Sequence, residues 1–269
     1  MAMGAAQSQF KALILDDDRA STSLLGSLLR TARQCATFEA ADLAGAAVLL
    51  EKIVPDLVFA AHAPPTLDAT LFTRELRRSD LAARKAPVVM LASEPTQSTT
   101  LAARDAGVHE VLRKPFTIKD LMARVDLLTG KDRRWIEGVA YVGPDRRRFN
   151  SAEFSGAKRR RVDKEMSSPE NARIGQALRI MKAAVDAIET EPRQALRALR
   201  AQADELQDAA IAMADFSLAG AAKTLKQYLD RSPRLNGRQL AADIDGLLGS
   251  AAAQPEAVEM RTKKILWVQ

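Results

Sequence analysis

Three consecutive aspartates, Asp16, Asp17 and Asp18, close the apolar run of residues 10–15. A buried parallel strand stops in this way when it delivers its carboxyl end to a site. Two arginine runs, Arg146, Arg147, Arg148 and Arg159, Arg160, Arg161, are the other residues with evident chemistry. Guanidinium forks bind phosphate bidentately and stack on planar rings, which suits RNA, DNA or a cyclic dinucleotide. The same runs also fit a solvated basic linker or docking onto an acidic protein surface. The lone cysteine, Cys35, excludes an internal disulfide and any zinc site built on two or more thiolates.

The first 130 residues alternate strand and helix patterns. Strands are expected at 10–15, 36–40, 57–61, 88–91 and 110–112, with helices at 20–33, 42–52, 68–78, 97–106 and 118–128. Five strands alternating with five helices predict an α/β doubly wound parallel sheet. Ligand chemistry in that architecture sits at the carboxyl ends of the strands, where Asp16, Asp17, Ala61, Ala92 and Lys114 gather.

Several pieces occur in order across residues 11–130: the pair Asp16-Asp17, Pro55-Asp56-Leu57-Val58 leading into the third strand, Pro65, Pro87-Val88-Val89-Met90-Leu91, Ala106-Gly107 and Lys114-Pro115-Phe116. Together they resemble the flavodoxin-like receiver domain of two-component response regulators. The resemblance implies metal-assisted phosphoryl transfer onto an aspartate, with acids after the first strand holding Mg2+. It further implies a carboxylate on the third strand, a hydroxyl on the fourth, a lysine before a cis-proline on the fifth and an aromatic three residues before that lysine.

Carried over by position, Asp16 and Asp17 match the metal-binding acids, and Lys114 matches the lysine. The acceptor falls on Ala61, the hydroxyl on Ala92 and the aromatic on Val111. Alanine has no atom that can carry phosphate, so the expectation is a degenerate pseudo-receiver. Asp56, His62, Asp68 and Ser93 are neighbours that would have to replace the missing groups. For Asp16, Asp17 and Lys114 two readings stand: an ion-pair cluster without ligand, or weak Mg2+ binding at Asp16 and Asp17, with no other cofactor expected.

Residues 131–168 form an arginine-rich connector. Between Lys131 and Glu165 there are 11 basic and 6 acidic residues, so this segment carries most of the chain's +6 net charge. Trp135, Ile136, Val139, Tyr141, Val142, Phe149 and Phe154 are interleaved with the arginines, and turn formers recur, so no core of its own is expected. Beyond it, Ile174, Leu178, Met181, Val185 and Ile188, then Leu196, Leu199, Ala203, Leu206, Ala210 and Met213, step by three and four residues. These stripes predict an antiparallel helix pair, and further helices at 217–230 and 237–248 complete a four-helix domain over 169–250 with a tail at 251–269. The only histidines, His62 and His109, lie in the first domain, which excludes histidine phosphotransfer by the helical domain.

Residues 1–10 lack a signal-peptide pattern, and no window approaches ~18 uninterrupted apolar residues, so a soluble cytoplasmic protein without a membrane span is expected. The resulting reading is a non-enzymatic, response-regulator-like signalling adaptor that acts by phosphorylation-independent protein–protein interaction. Its expected partners are a sensor kinase, another regulator, or a motor or cell-cycle component, with a homodimer through the helical domain as a further expectation. The rival readings are a cyclic-dinucleotide or nucleic-acid effector working through the arginines, and a phosphorelay regulator with an unconventional acceptor.

Overall fold

The computed structural model describes residues 9–130, 133–146, 149, 169–231 and 246. The chain divides into two compact units. The first runs to Ile136 and resumes at Tyr141; the second holds Glu137–Ala140 and the helices that follow.

In the first unit β1 (Lys11–Leu15), α1 (Arg19–Arg33), β2 (Ala36–Ala40), α2 (Leu43–Lys52), β3 (Leu57–His62), α3 (Ala69–Arg78), β4 (Val88–Ala92), α4 (Gln97–Ala106), β5 (Glu110–Arg113) and α5 (Ile118–Gly130) alternate as expected. The strands form one parallel sheet in the order β2-β1-β3-β4-β5. The apolar runs in β1, β3 and β4 are buried nearly end to end, as strands covered on both faces must be, whereas edge strand β2 is mostly half-buried. Leu13, Val58 and Met90 face a core built with Leu50, Phe72 and Ala103 from α2, α3 and α4. Ile14, Phe59 and Leu91 face the other core, built with Leu25 and Leu29 of α1 and Leu121 and Val125 of α5. Strand period two therefore produces a two-sided core.

Helix starts follow local chemistry. Asp18, Asp42, Asp68 and Thr96 cap α1, α2, α3 and α4, each accepting from an amide of the first turn, and such a cap contributes about 1 kcal/mol. Gly107 ends α4 at φ +90°, a left-handed conformation that favours glycine.

Within the segment read as a coreless connector, β6 (Trp135–Glu137) and β7 (Val142–Pro144) pair as a two-stranded sheet. Ile136 and Val142 are buried. Ile136 and Val142, two of the apolar residues spaced among the arginines, thus pack within a hairpin whose strands are too short to show an alternating pattern in the sequence.

The second unit contains α6 (Pro169–Asp186), α7 (Pro192–Ala212) and α8 (Phe216–Arg231), with α7 packed against both others. Ile174, Leu178, Met181, Leu199, Ala203, Leu206 and Ala210 form its core as the stripes predict, together with Leu218, Ala222, Leu225 and Leu229 of α8. Leu196 and Val185 are only partly buried and Met213 is exposed, while Ala195, Ala198 and Ala209 are fully buried. A straight helix repeats every 3.6 residues, so a stripe drawn at 3.5 drifts off the core towards its ends. Residues 137–140 belong to this unit too: Gln194 Nε2 donates to Glu137 Oε1 at 2.9 Å and Gly138 O at 3.0 Å, and Gln202 Nε2 donates to Glu137 O at 2.9 Å. The helix expected at 237–248 and the tail at 251–269 lie outside the described residues, Gly246 apart.

Candidate functional site

The carboxyl edge of the sheet brings the predicted residues together. Asp16 follows β1 and is buried. Its Oδ2 accepts from Lys114 Nζ at 2.6 Å and from Ser21 Oγ at 2.9 Å, while its Oδ1 accepts from the Asp18 amide at 3.1 Å. Lys114 Nζ also donates to Ser21 Oγ at 3.1 Å, closing a triangle between the start of α1 and the β5–α5 loop. The Lys114–Pro115 peptide is cis, as the resemblance implies. Asp17 is exposed.

Ala61 in β3, Ala92 in β4 and Val111 in β5 are each 3% exposed, so the positions to which the resemblance assigns acceptor, hydroxyl and aromatic carry buried aliphatic groups. The neighbouring groups have other partners. Asp56 Oδ2 accepts from the Lys11 amide at 2.8 Å, at the amino end of the sheet. Asp68 Oδ1 accepts from the Thr70 amide, Thr70 Oγ1 and the Leu71 amide, and lies 3.5 Å from His62 Nδ1. Burial pushes the Asp68 carboxyl up, but these donors outweigh it and hold it below the usual range. Ser93 lines an open cleft of about 510 Å³ together with Ser21, Leu24, Lys114 and Phe116.

Asp16 and Asp17 are the two carboxylates available here to a Mg2+ ion, a set that fits weak binding with the remaining positions held by water. A magnesium ion needs oxygen ligands in near-ideal octahedral geometry. Both Asp16 oxygens already accept protein donors, one of them the Lys114 ammonium, and Ala61 offers no oxygen. Among the described residues no three His, Cys, Asp or Glu side chains converge as a metal group.

Of the predicted anion-binding arginines, Arg147, Arg148, Arg159, Arg160 and Arg161 lie outside the described residues. Arg146 is placed over the Tyr141 ring, 3.9 Å from its centroid, and 3.3 Å from Asp105 Oδ1 at the end of α4. It therefore has a carboxylate and an aromatic partner within its own unit.

A second polar cluster, absent from the sequence reading, lies at the amino end of β4 and β5. Arg77 of α3 is 1% exposed. Its guanidinium donates to Gly107 O at 3.0 and 3.2 Å, Arg84 O at 2.7 Å and Ala86 O at 2.9 Å, with Trp135 on one face at 5.2 Å. Burial lowers its pKa to about 9, which leaves it charged at neutral pH. His109 Nδ1 accepts from the Val88 amide at 3.2 Å and lies 3.3 Å from Arg77 Nη2. Burial and then the charges of Arg77 and Arg133 hold His109 well below the ordinary imidazole pKa, so it is neutral. Glu110, fully buried, forms an ion pair with Arg133. A basic residue inside the apolar stripe of α3, at Arg77, is the one sequence signal that could have located this cluster.

Residues 12–126 match the family model of the response regulator receiver domain. This segment is a receiver domain, with the five-stranded parallel sheet and flanking helices of that family. The chain is 33% identical over 116 residues to the KDP operon transcriptional regulatory protein KdpE of Escherichia coli, covering 42% of this chain and 48% of that one. It is 31% identical over 123 residues to the transcriptional regulatory protein PdtaR of Mycobacterium tuberculosis, covering 46% and 58%. A crystal structure of a putative response regulator from Chloroflexus aurantiacus aligns at 26% identity and a TM-score of 0.43, covering 46% of this chain and 99% of that chain. The chain thus spans about half the length of the curated relatives it matches. No helix among the described residues is long and apolar enough to cross a membrane.

Proposed function

We propose that this chain acts in bacterial two-component signalling as a non-enzymatic, response-regulator-like adaptor whose receiver unit is a pseudo-receiver. It binds other signalling proteins without being phosphorylated. The observation that carries the reading is Ala61, a methyl group 3% exposed at the end of β3 where the family places its acceptor carboxylate. The engagement of Lys114 by Asp16 at 2.6 Å supports it, because an ammonium held by a buried carboxylate is a weak receptor for an incoming phosphoryl anion. The aliphatic groups at Ala92 and Val111 support it as well, since neither can bind or report a phosphoryl group.

The two rival readings have less behind them. Asp68 is an alternative carboxylate, and its Oδ1 already accepts three donors as the cap of α3. Arg146, the described member of the arginine runs, is held by Asp105 and Tyr141. The deciding experiment is incubation of the full chain with radiolabelled acetyl phosphate and Mg2+, followed by nuclear magnetic resonance with beryllofluoride. The adaptor reading expects no retained label and no saturable shifts around Ala61, whereas hydroxylamine-labile label on any aspartate would overturn it.

A further inference from the structure

The turn between α4 and β5 is gripped from both sides by the chain that follows the receiver fold. Ahead of the hairpin, Arg133 Nη1 donates to His109 O at 3.0 Å and its guanidinium pairs with buried Glu110 of β5. After the hairpin, Arg146 pairs with Asp105 in the last turn of α4. Between these two grips the backbones touch. A Cβ on Gly107 would meet Val142 O at 2.7 Å, and one on Gly143, whose φ is +157°, would meet Gly107 Cα at 2.8 Å. Both glycines are required by contact as much as by conformation. The Tyr141 hydroxyl donates to Pro144 O at 2.6 Å and fixes the bend that presents Gly143.

Arg77 joins the same elements from within. One buried guanidinium accommodates Gly107 O at the end of α4 and Ala86 O before β4, and it stacks beneath Trp135 of β6. Buried polar groups linked in this way have few alternative arrangements, because each displaced donor or acceptor would lie unpaired in a low-dielectric interior. Movement of α4 along its axis would break the Gly107 carbonyl contacts, the Gly107–Gly143 contact and the Asp105 pair together.

We infer that the hairpin formed by β6 and β7 is a mechanical relay, locked to the α4–β5 turn, that carries displacement of α4 into the chain leaving the receiver fold. Its input is any event that shifts α4, including the binding of a protein to that helix. The relay does not depend on whether the receiver unit is phosphorylated.

The test compares two helix caps at different distances from the hairpin in the sheet. Thr96 caps α4 at the end away from Gly107, and Asp42 caps α2, which packs beside β1 and β2. Thr96→Ala and Asp42→Ala each remove one capping hydrogen bond, a change that raises local opening by roughly fivefold. Amide hydrogen exchange is followed by mass spectrometry in the full chain. The relay predicts that Thr96→Ala speeds exchange in residues 133–146 by several-fold along with α4, and that Asp42→Ala leaves 133–146 unchanged. Faster exchange confined to α4 in Thr96→Ala would overturn it. An equal rise in 133–146 for both variants would also overturn it, because that outcome reports general loosening of the receiver unit.

Discussion

Lys114 Nζ and Asp16 Oδ2 lie 2.6 Å apart, joined through Ser21 Oγ into a closed triangle at the carboxyl edge of the sheet. The lysine side chain retains 24% exposure and the aspartate 3%, so the pair is asymmetric: removing the lysine strands a buried charge. The lysine is the one that a receiver resemblance implies, and with no carboxylate at Ala61 its partner here is Asp16.

Lys114→Ala should destabilise the receiver unit by about 2 kcal/mol, below the range for fully buried pairs because the lysine is partly solvated. Asp16→Asn should cost less, since the amide still accepts from Ser21 and leaves a solvated ammonium behind. Urea denaturation followed by circular dichroism checks both, and equal midpoints for the two variants would contradict the asymmetry.

Ala61→Asp adds a carboxylate within the buried edge beside Asp16. Like charges there raise one another's pKa and cost stability, unless a cation joins them. The variant should melt below the parent chain in the absence of divalent ions and regain stability as Mg2+ is added, by the linkage between binding and folding. The parent, which lacks the third-strand oxygen, should show a much smaller Mg2+ dependence. Thermal melts over a magnesium titration distinguish the two.

His109 gives the receiver unit a defined acid limit. Its folded pKa is depressed by burial and by Arg77 and Arg133, from an ordinary value of 6.5. Below 6.5 the unfolded chain therefore binds a proton that the folded chain refuses. Stability is fully present above about pH 6.5 and falls as pH drops below it, until the folded histidine itself titrates. Protonation would also place an N–H against the Val88 amide that now donates to Nδ1. His109→Asn, which keeps an acceptor but cannot titrate, should flatten the slope of urea midpoint against pH between 7 and 5. An unchanged slope would assign the acid sensitivity elsewhere.

The receiver fold was readable because its strands are short apolar runs and its helices begin at Asp18, Asp42, Asp68 and Thr96, all local signals. The gathering of Asp16, Ala61, Ala92 and Lys114 followed from topology once the strands were placed. The engagement of Ser21 with both Asp16 and Lys114 was not readable, since a serine in the first turn of a helix is ordinary. The Arg77 cluster was hidden for a different reason. An arginine that bonds mainly to backbone carbonyls leaves no partner side chain in the sequence to be noticed, and its aromatic partner Trp135 lies in a segment whose charge suggested solvent. Gly107 and Gly143 could each be read as turn formers, but their mutual contact is set by tertiary packing.

Gly143→Ala should weaken the hairpin's hold on the receiver unit. The added methyl would meet the Tyr141 hydroxyl at 2.6 Å and Gly107 Cα at 2.8 Å, one a side-chain atom and the other a backbone atom that cannot yield alone. A loss of about 1–3 kcal/mol is expected, typical of overpacking. Gly130→Ala, where a Cβ meets nothing within 4 Å, serves as the control and should change stability little. Denaturation of both variants in parallel tests the contact.

In α7 the distinction between Leu196 and Leu199 separates a heptad stripe from the packing observed. Both fall on the stripe at 196, 199, 203 and 206, yet Leu199 is fully buried whereas Leu196 is only partly so, and fully buried Ala195 lies beside it. Truncation of a packed leucine removes its transfer free energy and leaves a cavity, costing about 2–5 kcal/mol. Leu199→Ala should lie in that range. Leu196→Ala should cost less than half as much, because water already reaches the side chain and solvent fills the space. Ala195→Leu, by contrast, should destabilise by about 1–3 kcal/mol through overpacking, although it adds an apolar group to an apolar helix. Chemical denaturation of the helical unit in the full chain ranks the three. An equal loss for Leu196→Ala and Leu199→Ala would mean that the 3.5-residue stripe, and not the buried face built on Ala195, Ala198 and Leu199, carries the packing of α7.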